Sequence, residues 1–278
     1  MSKIIVNKIG VIQGRLVPRE SKKYQSFPFK NWKKELRFLK KINIKNVEWI
    51  ASSEKKNTNP IFLKQGLRSI LQHKKKFNLK IPSITVDYFM DNPFFKEKNL
   101  KKKNIILERI KKIIINSKKI GIKYIILPIL ENASISDEKE KNVMIKDIKK
   151  FIPILKKNKQ MILFETDMKP KNILSFMNSF NKKFFGINYD AGNSAGLNYN
   201  LAEEKKYFNS VKNVHLKDKI KNGKSVPLGK GNANFKLLLR FLKNSNYKGN
   251  FILQTARSKK NQIQEVKKNL SYIKSIKF

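Results

Sequence analysis

The chain contains no cysteine, which excludes a disulfide framework and any thiolate metal centre. Only two histidines are present, His73 and His215. No stretch approaches the roughly 18 consecutive apolar residues of a membrane-spanning helix. The opening MSKIIVNKIG has neither the apolar segment nor the small-residue cleavage site of a signal peptide. A cytoplasmic protein that does not enter a membrane is therefore expected. Linkers rich in Pro, Gly or Ser are missing too, so a single domain over residues 1–278 is expected.

Acidic residues are scarce, with 20 Asp and Glu against 63 Lys and Arg, for a net charge of +43. Such an excess draws polyanions in general. Here nearly all of it is lysine, spread along the whole chain instead of gathered in a tail or stripe. Lys, Ile and Asn are all abundant and share A/T-rich codons, so base composition is a sufficient cause. Arginine, the residue of bidentate phosphate and base contacts, is sparse. Nucleic acid is not the expected partner.

What the chain does have is alternation. Short apolar runs without helical period alternate with lysine-rich amphipathic stretches, the pattern of a parallel sheet. The runs end near Gln13, Glu48, Asp87, Pro128, Glu165, Asp190, His215 and Gln254. Eight strands close a (β/α)8 barrel, whose usual length is about 250 residues. Ile106, Ile110, Ile113 and Ile114 share one face of a helix, with Gly121 as its C-terminal stop. An open doubly wound sheet would carry a glycine-rich loop after its first strand; here GRLVPRE follows instead.

Active sites of such barrels lie at the carboxyl ends of the strands. Four of the later runs end there in metal-competent side chains: Glu165 in MILFETD, Asp190 in GINYDAGN, His215 in VKNVHLKD and Gln254 in NFILQTAR. Two carboxylates, an imidazole and an amide suit a divalent cation. Each has a plainer alternative. Glu165, costly to bury alone, could pair with a lysine, and Asp190 could serve a turn. Gln254 brings an oxygen but no charge, and cannot act as a base. His73, in LRSILQHKKK, reads as a solvent-facing helix residue. Asp218, just after His215, is expected on the same strand face. Glu131 ends another run, and Arg15 and Arg257 stand out as candidate grips for a phosphate or carboxylate. PLGKGNANF resembles a phosphate cradle only weakly.

Together these segments resemble the xylose isomerase-like barrel superfamily, in particular its bacterial sugar phosphate isomerase/epimerase branch. The resemblance runs from IGVIQGRLVP through VEWI, DYFMDNPFF, GIKYIILPILENAS and LFETD. It continues through GINYDAGNSA, KNVHLKDK, VPLGKGNANF and GNFILQTAR. It implies a divalent ion (Mn, Mg, Co or Zn) held by Glu165, Asp190, His215 and Gln254. Relatives usually have Glu at the last position, where it also serves as a second base, so Gln254 is a departure. Asn234 likewise stands where relatives often have Asp. The three-zinc DNA-repair relatives need more histidines than this chain has.

The expected activity is isomerisation or epimerisation of a sugar, sugar phosphate or related polyol, next to a metal-bound carbonyl. Glu165 is the expected proton-transfer group, with Glu131 or Asp218 supplying the second transfer. Arg15, Lys217 and Arg257 are expected to hold the substrate. A small-molecule carbohydrate is the expected partner, with self-association into a homo-oligomer compatible. The alternatives are a metal-dependent dehydratase or lyase on a sugar-like substrate, and a degenerate sugar-binding barrel.

Overall fold

Eight short parallel strands close into a barrel in the computed structural model, which describes residues 7–54, 58–258 and 260–277. The first six residues, read above for a leader, lie outside the described residues. The barrel strands are β1 (Ile9–Ile12), β2 (Asn46–Ile50), β3 (Ser83–Thr85), β4 (Tyr124–Ile129), β5 (Met161–Thr166), β6 (Phe185–Asp190), β7 (Val211–Leu216) and β10 (Asn250–Leu253). A two-stranded hairpin, β8 (Asp218–Lys219) and β9 (Ser225–Val226), sits between β7 and β10 in the chain. Neighbouring barrel strands are consecutive in sequence, and β10 closes on β1 with Ile9 opposite Phe251. All eight expected runs form barrel strands.

Strand alternation decides what each residue faces. On β7, Val214 and Leu216 are buried against the outer helices, while Asn213 and His215 join the polar interior. On β6, Tyr189 packs outward on Phe208, and Asn188 and Asp190 turn inward. A register shift between Ile187 and Asn188 brings Asn188 opposite Asn213 and Asp190 opposite His215.

The outer helices form where apolar residues recur at helical spacing. The longest, Leu100–Lys119, starts at Asn99, whose side chain accepts the Lys102 N–H, and buries Ile106, Ile110, Ile113 and Ile114. It stops where Gly121 takes φ +84°, a backbone that side-chain-bearing residues avoid. Ile110→Ala would cost about 2–5 kcal/mol by leaving a cavity. His73 differs from expectation: it is half-buried, its ring 5.4 Å from Trp32, with Nδ1 2.8 Å from the Ser69 carbonyl.

Candidate metal centre and active site

The carboxyl ends of β5, β6 and β7 bring Glu165, Asp190 and His215 together. One ligand-capable atom of each lies within 4.8 Å of the others, and all three residues are buried. His215 Nδ1 is 3.2 Å from Glu165 Oε2 and 4.0 Å from Asp190 Oδ2.

The far side of the imidazole is fixed. Its Nε2 lies 2.7 Å from Glu48 Oε1 on β2, and Glu48 also accepts from Ser83 Oγ (2.7 Å), Thr85 Oγ1 (2.7 Å) and Asn213 Nδ2 (3.2 Å). Every acceptor site of this fully buried carboxylate is thus used, and Nε2 is committed to it. Nδ1 faces the two carboxylates. Such a carboxylate–histidine pair sets tautomer and ring orientation in metal sites. Burial alone would raise Glu48, but His215, Ser83 and Thr85 outweigh it and hold the carboxyl below its ordinary range. Burial works against a charged His215, yet the carboxylates of Glu48 and Glu165 push it well above the usual imidazole value.

Two asparagines complete the centre, and the sequence reading had passed over both. Asn188 Nδ2 donates to Glu165 Oε2 (2.8 Å). Asn193 donates to Glu165 Oε1 (3.1 Å), and its backbone N–H is capped by Asp190 Oδ1 (2.8 Å). The signal for Asn193 was the spacing Asp190-Ala-Gly-Asn193, an N-cap followed by its third residue. Lys217 Nζ bridges Asp190 Oδ2 (3.2 Å) and Asn193 Oδ1 (3.0 Å). Burial penalises this ammonium, but Asp190 and Glu165 overcome it and raise Lys217 above the usual lysine value. Burial likewise opposes an ionised Asp190; Lys217, His215 and the Asn193 N–H outweigh it and lower the carboxyl.

Gln254 stands at the end of β10, its N–H donated to Leu216 O (3.0 Å). Its Nε2 donates to Gln25 Oε1 (2.7 Å), which leaves Gln254 Oε1 buried with no partner. Gln25 Oε1 also faces Arg15 Nη2 (3.4 Å), while Gln25 Nε2 donates to both oxygens of Asp87 (3.2 Å each). Arg15 can only donate, so it holds the oxygen of Gln25 toward itself. Position 254 therefore needs a donor on this side, which an amide provides and a carboxylate does not. The residues present fit a divalent cation: two carboxylates, one oriented imidazole nitrogen, and an orphaned amide oxygen on the next strand.

A cavity of about 270 Å³ opens at these strand ends, lined by Glu165, Gln254, Asp87, Glu131, Lys217 and Lys219 among others. A roomier hollow of about 610 Å³ lies between Phe62 and the Leu100–Lys119 helix, away from the strand ends. Of the remaining expected site residues, Glu131 is exposed at the cavity rim with φ +55°. Arg15 is buried behind Gln25, its Nε donated to Thr255 O (2.9 Å). Arg257 packs on Gly14, where a Cβ would lie 2.3 Å from its Nη2; burial and the nearby Arg15 lower it to about 10.

Asp218 departs from expectation. It is three residues after His215 and so lies on the opposite side of the alternation; Lys217 shares the face instead. Its carboxylate accepts the backbone N–H groups of Gly229 (2.9 Å), Gly231 (2.9 Å) and Ala233 (3.0 Å). The amides of the PLGKGNANF loop are thus turned onto Asp218 and not toward a phosphate. Asn234 caps the helix Phe235–Asn244 through the Leu237 N–H (3.0 Å).

An eight-stranded parallel barrel with a buried carboxylate–carboxylate–imidazole cluster at its carboxyl end defines the class. The xylose isomerase-like TIM barrel family model matches residues 28–276, and the chain belongs to that family. No curated protein matches the chain. Among solved structures, the chain is similar to the IOLI protein with a bound zinc atom, at TM-score 0.76 and 17% identity over 98% of this chain and 99% of that one. It is also similar to a xylose isomerase-like TIM barrel protein from Mycobacterium smegmatis in complex with magnesium, at TM-score 0.72 and 14% identity over 99% and 98% of the two chains. D-psicose 3-epimerase with D-tagatose, from Clostridium cellulolyticum H10, aligns at TM-score 0.73 and 9% identity over 97% and 99%. At these identities the likeness establishes the fold.

Proposed function

We propose that the protein is a divalent-metal-dependent isomerase or epimerase of a small carbohydrate: a sugar, sugar phosphate or related polyol. The observation that carries this reading is the convergence of Glu165, Asp190, His215 and the unpartnered oxygen of Gln254 beside a cavity of sugar size. The zinc and magnesium bound by structural neighbours and the epimerase among them support it. A cation of this kind, when bound, polarises the oxygen of a carbonyl or hydroxyl group.

The chain's own residues supply the rest. Each oxygen of Glu165 accepts from one asparagine, Asn193 or Asn188, and the side chain lines the cavity, a position from which its carboxylate takes a proton from the carbon beside the substrate carbonyl. Lys217 and Lys219 place two ammonium groups on the cavity wall, where they hold an anionic substituent or a developing negative charge. Arg15 and Arg257 act one layer back, fixing Gln25 and the loop after β1, respectively. The exposed position of Glu131 suits a rim contact to a hydroxyl.

The test is to incubate candidate sugars with the Mn²⁺-loaded protein in deuterated buffer and look for exchange at the carbon next to the carbonyl. Exchange with one class of sugar supports the reading; none across a broad panel counts against it. Gln254 favours one second reading, a barrel that binds its sugar without turning it over. Saturable sugar binding that needs no metal, with no exchange, would select it.

A further inference from the structure

Gln254 brings the pocket no ionisable group, but a carboxyl just past β3 lines it too. Asp87 stands one residue past β3, at the start of the short helix Asp87–Asp91, is only 6% exposed, and lines the cavity with Glu165, Thr85 and Gln254. Its carboxyl receives a single neutral donor, Gln25 Nε2, and no salt bridge reaches it among the described residues. Lys23, which lines the same cavity, pairs with Asp91 at 2.5 Å.

The charged groups that act most on Asp87 are of its own sign: Glu165 on β5, Glu48 on β2 and Asp91 on its own short helix. Lys23, Lys217 and Lys219 line the same cavity without an ion pair to it. Arg15, beyond Gln25, also acts on it; its Nε donates to Thr255 O and its Nη2 to Gln25, while Nη1 is buried without a hydrogen-bond partner. A carboxyl buried among carboxylates, with no cation in contact, keeps its proton. Burial first, then those neighbours, push it up to about 8 against the pull of the Gln25 hydrogen bond. Gln25 is itself held by Arg15 and Gln254, so the Asp87 carboxyl is fixed in place at the cavity wall. The two groups expected to fill this role are not so placed: Asp218 is spent on three backbone amides, and Glu131 stands at the rim.

Resting on the isomerase or epimerase reading above, we propose that Asp87 is the second proton-transfer group of this pocket, the acid that the amide at position 254 cannot be. Glu165 removes the proton from the carbon next to the carbonyl. The C–H electron pair becomes the new C=C bond, and the carbonyl π pair takes the proton of the Asp87 carboxyl onto oxygen, giving an enediol. In the return step the Asp87 carboxylate removes the proton of the other enediol hydroxyl, which becomes the carbonyl. The C=C pair takes the proton from Glu165 onto carbon. Both side chains end as they began, and no oxidant or reductant is consumed.

The test compares the Mn²⁺-loaded wild type with Asp87→Asn and Asp87→Glu, on D-fructose, D-tagatose and D-fructose 6-phosphate. Asp87→Asn is expected to lower kcat by about 10²–10³-fold and to abolish the basic limb of the pH–rate profile. Asp87→Glu should recover part of the rate. Independently of any sugar, the infrared difference between wild type and Asp87→Asn at neutral pH should show a protonated-carboxyl band in the wild type. Its absence would overturn the proposal. So would an active wild type that Asp87→Asn matches in rate and pH profile, which leaves the function reading standing. A wild type inert on these three and across the broad sugar panel, without exchange in deuterated buffer, counts against the function reading and this role together.

Discussion

The two walls of the pocket handle charge in opposite ways. On β5, β6 and β7, full charges meet directly: Glu165 and Asp190 against His215, and Asp190 against Lys217. Across the barrel, contacts run through neutral amides, from Gln254 to Gln25 to Asp87, with Arg15 behind them. The first wall suits a cation, because its carboxylates are negative and its imidazole is pre-oriented. The second is built to hold direction, because each amide presents a donor on one side and an acceptor on the other. The difference teaches why position 254 suits an amide: the chain of hydrogen bonds requires a donor there, and Gln25 passes it on to the carboxyl of Asp87.

Breaking the charged wall should have the largest effect. A cation at about 100 times its dissociation constant stabilises a fold by roughly 2.7 kcal/mol, which is a rise in Tm of roughly 5–10 °C for a chain of this size. Mn²⁺ should produce such a rise in the stripped wild type and none in His215→Ala. A rise preserved in the variant would place the cation elsewhere.

Next in size is the support behind that wall. Glu48→Gln keeps the volume but presents one amide edge where the carboxylate accepted four contacts, so the hold on Nε2 and the ring orientation is lost. Removing a partner of this kind typically weakens metal binding by about 10–100-fold. Mn²⁺ titration measures it, and unchanged affinity would make Glu48 a packing residue only.

The amide wall should respond more gently and with a change of sign. Gln254→Glu adds a negative charge to the ligand set, and tighter metal binding by roughly tenfold is expected. The same change sets a carboxylate against the oxygen of Gln25 and costs about 1–3 kcal/mol in the stripped protein. Tighter binding together with a lower metal-free Tm confirms the directional chain; a higher metal-free Tm would refute it.

How much of this was legible beforehand depends on which residues one asks about. The barrel was, because each strand is a short apolar run bounded by turn formers and the longer outer helices repeat apolar residues at helical spacing. The convergence of Glu165, Asp190 and His215 was too, since each is a polar residue ending a buried run. Glu48 was visible only as one more strand end; its role depends on β2 and β7 facing each other across the barrel interior, which local pattern does not encode. Asp218 was misplaced by strand parity, and its three amide partners lie 11 to 15 residues away in a loop. The Gln25 bridge joins residues 229 positions apart, and no local signal marks it.

The smallest test concerns what stands behind Asp190. Glu204 is buried and accepts from Tyr189 (2.8 Å), Ser194 (2.6 Å) and Tyr207 (3.0 Å), so it ties both flanks of Asp190 to the helix Leu201–Glu204. Unlike Glu48, it is held by hydroxyls, and no ion pair reaches it among the described residues. Burial raises its pKa, with the three hydrogen bonds opposing but not overcoming that effect. In the unfolded chain the proton leaves at lower pH, so between the two values the unfolded state binds fewer protons and stability falls as pH rises. Glutamine cannot ionise and escapes that loss. Glu204→Gln should therefore be destabilising by about 1 kcal/mol near pH 4.5, where it merely weakens the hydroxyl contacts, and should approach or exceed wild type near pH 8. Urea unfolding at both pH values decides it. A penalty that grows with pH would mean that Glu204 is ionised and paired like Glu48, and the contrast between charged wall and neutral brace would fail.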